Sequence, residues 1–355
     1  MQLQACCEIS IVFCKPDGNA QGARYHHCMS FLALLFALLI EQARPLSSDN
    51  VVRRRIRGWI FWVSRSLDAG HPELAWTTWS LAIGVPTLLT MLLHWVLLYF
   101  LGWPVAMVWS VCVLYATLGF RQFSHHFTDI RDALDVGDEP LARQLLAKWQ
   151  HVSVGALPRS ELLRHVVEHS VLSAHRHVFG VLAWFSVLAA LGLGPAGAVL
   201  YRMSAWATQA WRNSETLSKA WVSKPLQLAA SEAWRWVDWL PARITAVAFA
   251  VVGNFEEAID CWRNHAQRFP DDNDGVVLSA TSGALNVRLG GEALDARAAD
   301  SDVLHDNGPS LQGSESTPGR TPELAHLSSV VGLVWRTVVL WMVLLALLTL
   351  ARLLG

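Results

Sequence analysis

The chain has 355 residues, of which 53% are hydrophobic and only 16% charged, with 18 Trp and a mean hydropathy of +0.31. Soluble domains carry about 25% charged residues, so this composition excludes a largely disordered chain and argues against an ordinary soluble enzyme. A formal net charge of −1 supplies no overall field to draw in nucleic acid, and an integral membrane protein is the class that remains.

In chain order, residues 1–28 lack apolar periodicity and end just before Met29, so they are expected to be an extension without function. Ser30 to Ile40 is apolar but short for a span, and no small-residue cleavage site follows it, which predicts a short spanning or interfacial helix. Glu41 then stands either as an intramembrane functional carboxylate or as the first interfacial residue. Arg44, Arg53, Arg54, Arg55, Arg57 and Arg65 place the segment up to Thr78 in the cytoplasm by the positive-inside rule. Trp79 to Leu101, the turn Gly102-Trp103-Pro104, and Val105 to Phe120 read as a helical hairpin. Cys112 lies within the second arm and is expected to be a small buried hydrophobe.

The loop Arg121–Arg176 should return to the same side and be helical, with Pro140 in the first turn of one helix and Ser160-Glu161 opening another into the membrane. Val178 to Leu193 is a further apolar run, and the glycines from Gly192 to Gly197 break it. Residues 205–240 interleave Trp with polar residues, as suits helices near the membrane surface. Ile244 to Val252 predicts a packed or re-entrant helix. Residues 296–328 read as a flexible linker before a C-terminal transmembrane helix at 329–355, with Arg336 snorkelling from its first turn. The expected fold is all-α and polytopic, with four or five transmembrane helices, helical cytoplasmic loops and a membrane domain over 29–295.

There is no P-loop, no HExxH and no dinucleotide fingerprint. His125-His126 and His175-Arg176-His177 are spaced poorly for chelation on a helix, so they read as interfacial histidines and no metal site is expected. In the string Asp238-Trp239-Leu240-Pro241-Ala242-Arg243, Asp reads as a helix cap, Pro as a first-turn residue and Arg as an interfacial cation. Ser282 to Gly291 reads as small residues packing a helix, then Arg288, then a double-Gly stop.

These strings carry a resemblance. "DWLPARITAVAFAVVG" followed by "SGALNVRLGG" resembles the CobD/CbiB membrane family of cobalamin biosynthesis. "GPAGAVLYRMSAW", with Tyr201 and Arg202, and "ALDVGDEPLAR", with Gly137, Asp138 and Arg143, resemble two further stretches of that family in the same order. The chain departs from the family pattern elsewhere. Its Arg-Asp-Thr motif is replaced by "VSVGALPRSEL". Its acidic block keeps Glu168 but loses the Glu-Asn pair and the following Asp. Its Ser-Pro-Asn-x-Gly entry keeps only Asn273 and Gly275.

The resemblance implies a bacterial inner-membrane protein that joins an aminopropanol (phosphate) moiety to adenosylcobyric acid, with a corrinoid substrate, membrane lipid around it, and ATP and Mg2+ in the amide-forming step. Under it, Arg243 and Arg288 would contact anions, Asn273 would make a polar contact, and Asp238 would orient Arg243. The segment from Arg176 to Trp184 and the "DWLPARITAV" string also resemble the AmpE family, which implies a rival role as a non-catalytic membrane sensor or regulator.

Overall fold

The computed structural model describes residues 19–43, 51–150, 158–212, 222–291 and 315–354. Among these residues the chain is helical throughout, with a single isolated bridge between Val287 and Arg320. The helices are α1 (Asn19–Ala43), α2 (Val51–Leu67), α3 (Pro72–Leu101), α4 (Trp103–Thr117), α5 (Phe120–Val136), α6 (Glu139–Gln150), α7 (Arg159–Ala174), α8 (Gly180–Ala190) and α9 (Ala196–Arg212). They continue with α10 (Lys224–Val252), α11 (Phe255–His265), α12 (Asp272–Leu285) and α13 (Leu324–Leu354).

Among the described residues three stretches are long and apolar enough to cross a membrane: Pro72–Leu101, Arg159–Ala190 and Leu324–Ala351. Ser30–Ala43 and Trp103–Thr117 are shorter apolar helices; the latter rises only about 22 Å against a hydrocarbon core of about 30 Å. The expected all-α membrane architecture therefore holds, and the hairpin forms where the sequence placed it. Gly102 turns between its arms at φ 83°, a left-handed value that favours glycine, and Pro104 sits in the first turn of α4. The outer faces of α3 and α13 carry exposed Leu88, Leu92, Val96, Phe100, Val343 and Leu347, the apolar surface that lipid covers. Cys112 belongs to such an outer face and is exposed, because an apolar helix in a membrane turns small apolar residues outward as readily as inward. Glu41, by contrast, is buried.

Among the described residues, two large apolar cores and a small third one around Ala246, Val276 and Ala280 lie inside. The largest gathers Leu114, Phe127, Leu134, Leu146, Val166, Phe179, Phe185, Phe249 and Leu333; the second packs Ile60, Ile83, Met203, Trp211 and Leu226 between α2, α3, α9 and α10. "ALDVGDEPLAR" forms a helix–turn–helix: Gly137 ends α5 in the left-handed conformation, Asp138 accepts from the Leu141 N–H, and Arg143 pairs with Glu139 at 3.1 Å. Its residues build a turn. The backbone of His125 and His126 is in α5, and their side chains lie outside the described residues.

Two local breaks set up the site. Between α7 and α8, residues His175–Phe179 form a π turn, in which the Gly180 N–H donates to the carbonyl of His175. In α10, Pro241 lies inside a continuous 29-residue helix and not in a first turn, so Asp238 is no cap. Proline lacks the N–H that would bond the carbonyl of Val237; the Trp184 Nε1–H takes that carbonyl instead, at 2.8 Å. Ile244–Val252 is the end of this helix, with Ala246 and Ala248–Ala250 buried and Val247 and Val251 exposed, so it packs along one face as one of the two expected alternatives.

The linker expected over 296–328 ends earlier. Residues 315–320 pair with the chain after α12: the Thr317 N–H donates to the Leu289 carbonyl at 2.7 Å, the Arg288 N–H to Arg320 at 2.8 Å, and α13 starts at Leu324. Residues 292–314 are outside the described part.

The Arg cluster of α2 predicts the side on which that helix lies. In a background without the native cysteines, a cysteine at the exposed Ser66 should resist an impermeant maleimide in intact cells and react once the membrane is opened. Labelling from outside would invert the topology.

Candidate functional site

Asp238 is fully buried in the middle of α10. Its Oδ1 accepts from the Tyr201 hydroxyl at 2.7 Å and lies 3.0 Å from His175 Nε2; the other ring nitrogen of His175 is 3.0 Å from the Thr245 hydroxyl. The arrangement that satisfies these atoms has Nε2–H donating to Asp238 and Nδ1 accepting from Thr245. Burial, and then the Asp238 charge, push the Tyr201 phenol well above its ordinary pKa, so it stays a donor. Each residue is placed by local structure. Asp238 and Thr245 are seven apart on one helix face, the π turn aims His175, and α9 carries Tyr201.

Arg243 lies on the same helix, half-buried, at the rim. Its Nη1 donates to the Trp239 carbonyl at 2.9 Å and to Asn273 Oδ1 at 3.1 Å, and its guanidinium sits 4.2 Å from the Trp239 ring centroid. Among the described residues Nη2 and Nε make no hydrogen bond, which leaves that edge of the fork open. Burial lowers the Arg243 pKa while Asp272 and Asp238 oppose that shift. Asn273 is buried and fixed in turn, its amide donating to the Arg235 carbonyl at 2.9 Å, with Asp271 capping its helix. Burial, then the neighbouring Asp274, raise the Asp271 carboxyl pKa. Arg176 joins the two groups through an ion pair to Asp274 at 2.5 Å.

The structure thus brings together three of the four residues picked from sequence, with one change of role. Asp238 does not hold Arg243; its bonds go to His175 and Tyr201, and Asn273 and Trp239 orient the arginine. Arg288 is elsewhere. Its side chain is exposed beyond the C-terminal end of α12, about 20 Å of helix from Asn273, too far for Arg288 and Arg243 to grip one anion. At that end Glu168, the residue kept from the acidic block, accepts from the Gly290 N–H at 2.7 Å and pairs with the buried Arg164 at 2.9 Å, docking the double-glycine turn.

Sequence reasoning missed His175, Thr245, Arg176 and Asp274. The histidine was read as interfacial, yet it is fully buried. The seven-residue spacing of Asp238 and Thr245 was a usable signal; the 63-residue separation of His175 and Asp238 gave none.

No solved structure matches the chain. It is 31% identical over 324 residues to the cobalamin biosynthesis protein CobD of Stutzerimonas stutzeri (strain A1501), covering 89% of this chain and 96% of that protein. The protein of the same name from Chromobacterium violaceum is 32% identical over 185 residues, 52% of this chain and 55% of that one. The one from Mycobacterium tuberculosis (strain H37Rv) is 30% identical over 197 residues, 54% and 58%. A family model described as CobD/Cbib protein matches residues 31–316, which include every residue of the buried network and its arginine rim, so the chain belongs to the CobD/CbiB family.

Proposed function

We propose that this chain acts in cobalamin biosynthesis at the bacterial inner membrane, joining an aminopropanol (phosphate) moiety to adenosylcobyric acid to give adenosylcobinamide (phosphate). The observation that carries this reading is Arg243: a half-buried guanidinium, held through one nitrogen by Asn273 and Trp239, with its remaining donors open. An open planar fork binds carboxylate or phosphate in two parallel hydrogen bonds. Both kinds of group occur in this reaction, and fixed donors stabilise the charge that develops on an acyl group during amide formation. Asp238, His175 and Tyr201 lie too deep to touch substrate and act as positioning residues, holding α7, α9 and α10 in register beneath the rim.

ATP would supply the activation of the carboxyl group. Mg2+ would enter on the nucleotide phosphates, as it commonly does. The depth of the network, whose Asp238, His175 and Tyr201 are all closed off from the surface, favours one other reading, the AmpE-like regulator without catalysis.

The test is rescue of cobinamide formation in a strain lacking the family enzyme. The wild-type chain should restore it. Arg243→Lys should reduce it roughly a hundredfold at unchanged membrane levels, because lysine keeps the charge but not the fork. Full activity in that variant would reduce Arg243 to a helix anchor. Failure of the wild-type chain to rescue would favour the regulator.

A further inference from the structure

Among the described residues, two prolines stand inside helices beyond the first turn, Pro86 in α3 and Pro241 in α10. Each lacks the N–H that would bond the carbonyl four residues earlier. In both cases a tryptophan from another helix supplies the missing donor. The Trp59 indole, on α2, donates to the Ala82 carbonyl at 2.9 Å, and the Trp184 indole, on α8, donates to the Val237 carbonyl at 2.8 Å. The backbone of Trp184 is itself fixed, since α9 crosses so closely that a Cβ on Gly197 would run into the Trp184 carbonyl. Its indole is a donor at a set place, against which α10 is held.

The second pair falls inside the candidate site. Asp238 precedes Pro241, and Arg243 and Thr245 follow it. A proline in a helix interior removes one bond of the ladder and crowds the carbonyl behind it, so the angle between the two halves depends on what holds that carbonyl. His175 touches both halves from the interior, through Asp238 and Thr245. Arg243 faces the rim, where it reaches Trp239, ahead of the proline, and Asn273, on α12. A rotation of the second half would part the guanidinium from Asn273. We propose that Trp184 is a positioning residue for Arg243: by donating to the carbonyl that Pro241 frees, it fixes the course of α10 between Asp238 and the rim. The two act as a unit, and the tryptophan is needed only because the proline is there. The consequence for turnover rests on the amide-forming reading; the consequence for where Arg243 stands does not.

A double-mutant cycle in the purified full-length protein in detergent tests this, read by thermal unfolding and by phenylglyoxal labelling of Arg243 followed by mass spectrometry. Trp184→Phe should lower the unfolding temperature by about 3 °C or more and raise the labelling rate of Arg243 about fivefold. In the Pro241→Ala background the alanine N–H meets the Val237 carbonyl, so Trp184→Phe should change Arg243 labelling by less than about twofold. The loss of ring volume is the same in both backgrounds, and only the hydrogen bond separates them. Trp59→Phe should lower stability yet leave Arg243 labelling at the wild-type rate. Equal effects of Trp184→Phe with and without Pro241 overturn the proposal, as does an equal rise of Arg243 labelling in Trp59→Phe, which would mean general loosening. If Trp184→Phe alone fails to accumulate, recovery of folded, slowly labelled protein in the double variant supports the proposal, and continued failure overturns it. The expected labelling in a chain that cannot rescue cobinamide formation would support the positioning role while sinking the amide-forming reading.

Discussion

Replacing Asp238 with Ala should destabilise the folded chain by about 2–5 kcal/mol, since each buried donor left without an acceptor costs about 1–3 kcal/mol. The alanine strands two buried donors at once, the Tyr201 hydroxyl and the imidazole of His175, both of which end on the same oxygen. Nothing polar on the alanine replaces that oxygen at a fully buried position. Asp238→Asn separates shape from charge. Its amide oxygen still accepts from both partners, and its NH2 takes the place of Oδ2, which has no hydrogen-bond partner. The asparagine variant should therefore lose no more than about 1–2 kcal/mol. Thermal unfolding of the two variants in detergent gives the comparison. Equal losses would show that the carboxylate charge, and not the hydrogen-bond geometry, holds the three helices together.

The second large effect is expected at Gly283, where α11 and α12 touch backbone to backbone. A Cβ there would stand 2.2 Å from the Glu257 carbonyl oxygen and 2.6 Å from the Ala258 Cα. Neither can rotate away as a side chain does, so Gly283→Ala has to push the two helices apart. Overpacking of this kind commonly costs about 1–3 kcal/mol, and a purely backbone obstacle belongs at the upper end. Asn273 heads α12, so the same displacement should also disturb its bond to Arg243 and lower cobinamide formation beyond the loss of protein level. Gly84 supplies the control: it lies inside α3 with nothing within 4 Å of its Cβ position, so Gly84→Ala should be neutral or gain up to about 1 kcal/mol. A Gly283→Ala protein as stable as wild type would show that α11 can shift freely.

The parts of the fold legible in the sequence were those governed by local chemistry. Apolar length marked the membrane helices, Gly102 and Pro104 marked the hairpin turn, and Gly192 and Gly194 marked the break before α9. What escaped depended on which face a helix turns inward. Hydropathy ranks both Cys112 and Leu114 as apolar, yet the first is exposed and the second buried. The Asp-x-x-Pro-x-Arg string located the site but suggested the wrong partners. Asp238 and Arg243 are five apart and face different neighbours, so their partners from elsewhere in the chain came from the π turn after α7, from α9 and from α12. Pro241 invited a helix start because the carbonyl it frees is satisfied by Trp184, 53 residues earlier in the chain, a compensation that no local pattern reveals.

The π turn at His175–Phe179 has a bearing on how related chains are lined up with this one. A π turn holds one residue more than the α-helix it interrupts, and each residue in an α-helix advances the face by about 100°. A relative without the extra residue would rotate everything after it by that angle, unless the preceding helix were rephased instead. Its counterpart of His175 would then occupy a neighbouring alignment column, and a column-by-column reading would score the position as lost although the side chain facing Asp238 had been kept. Gaps of one residue between Ala174 and Gly180 are therefore better placed by the partner of Asp238 than by the letters on either side.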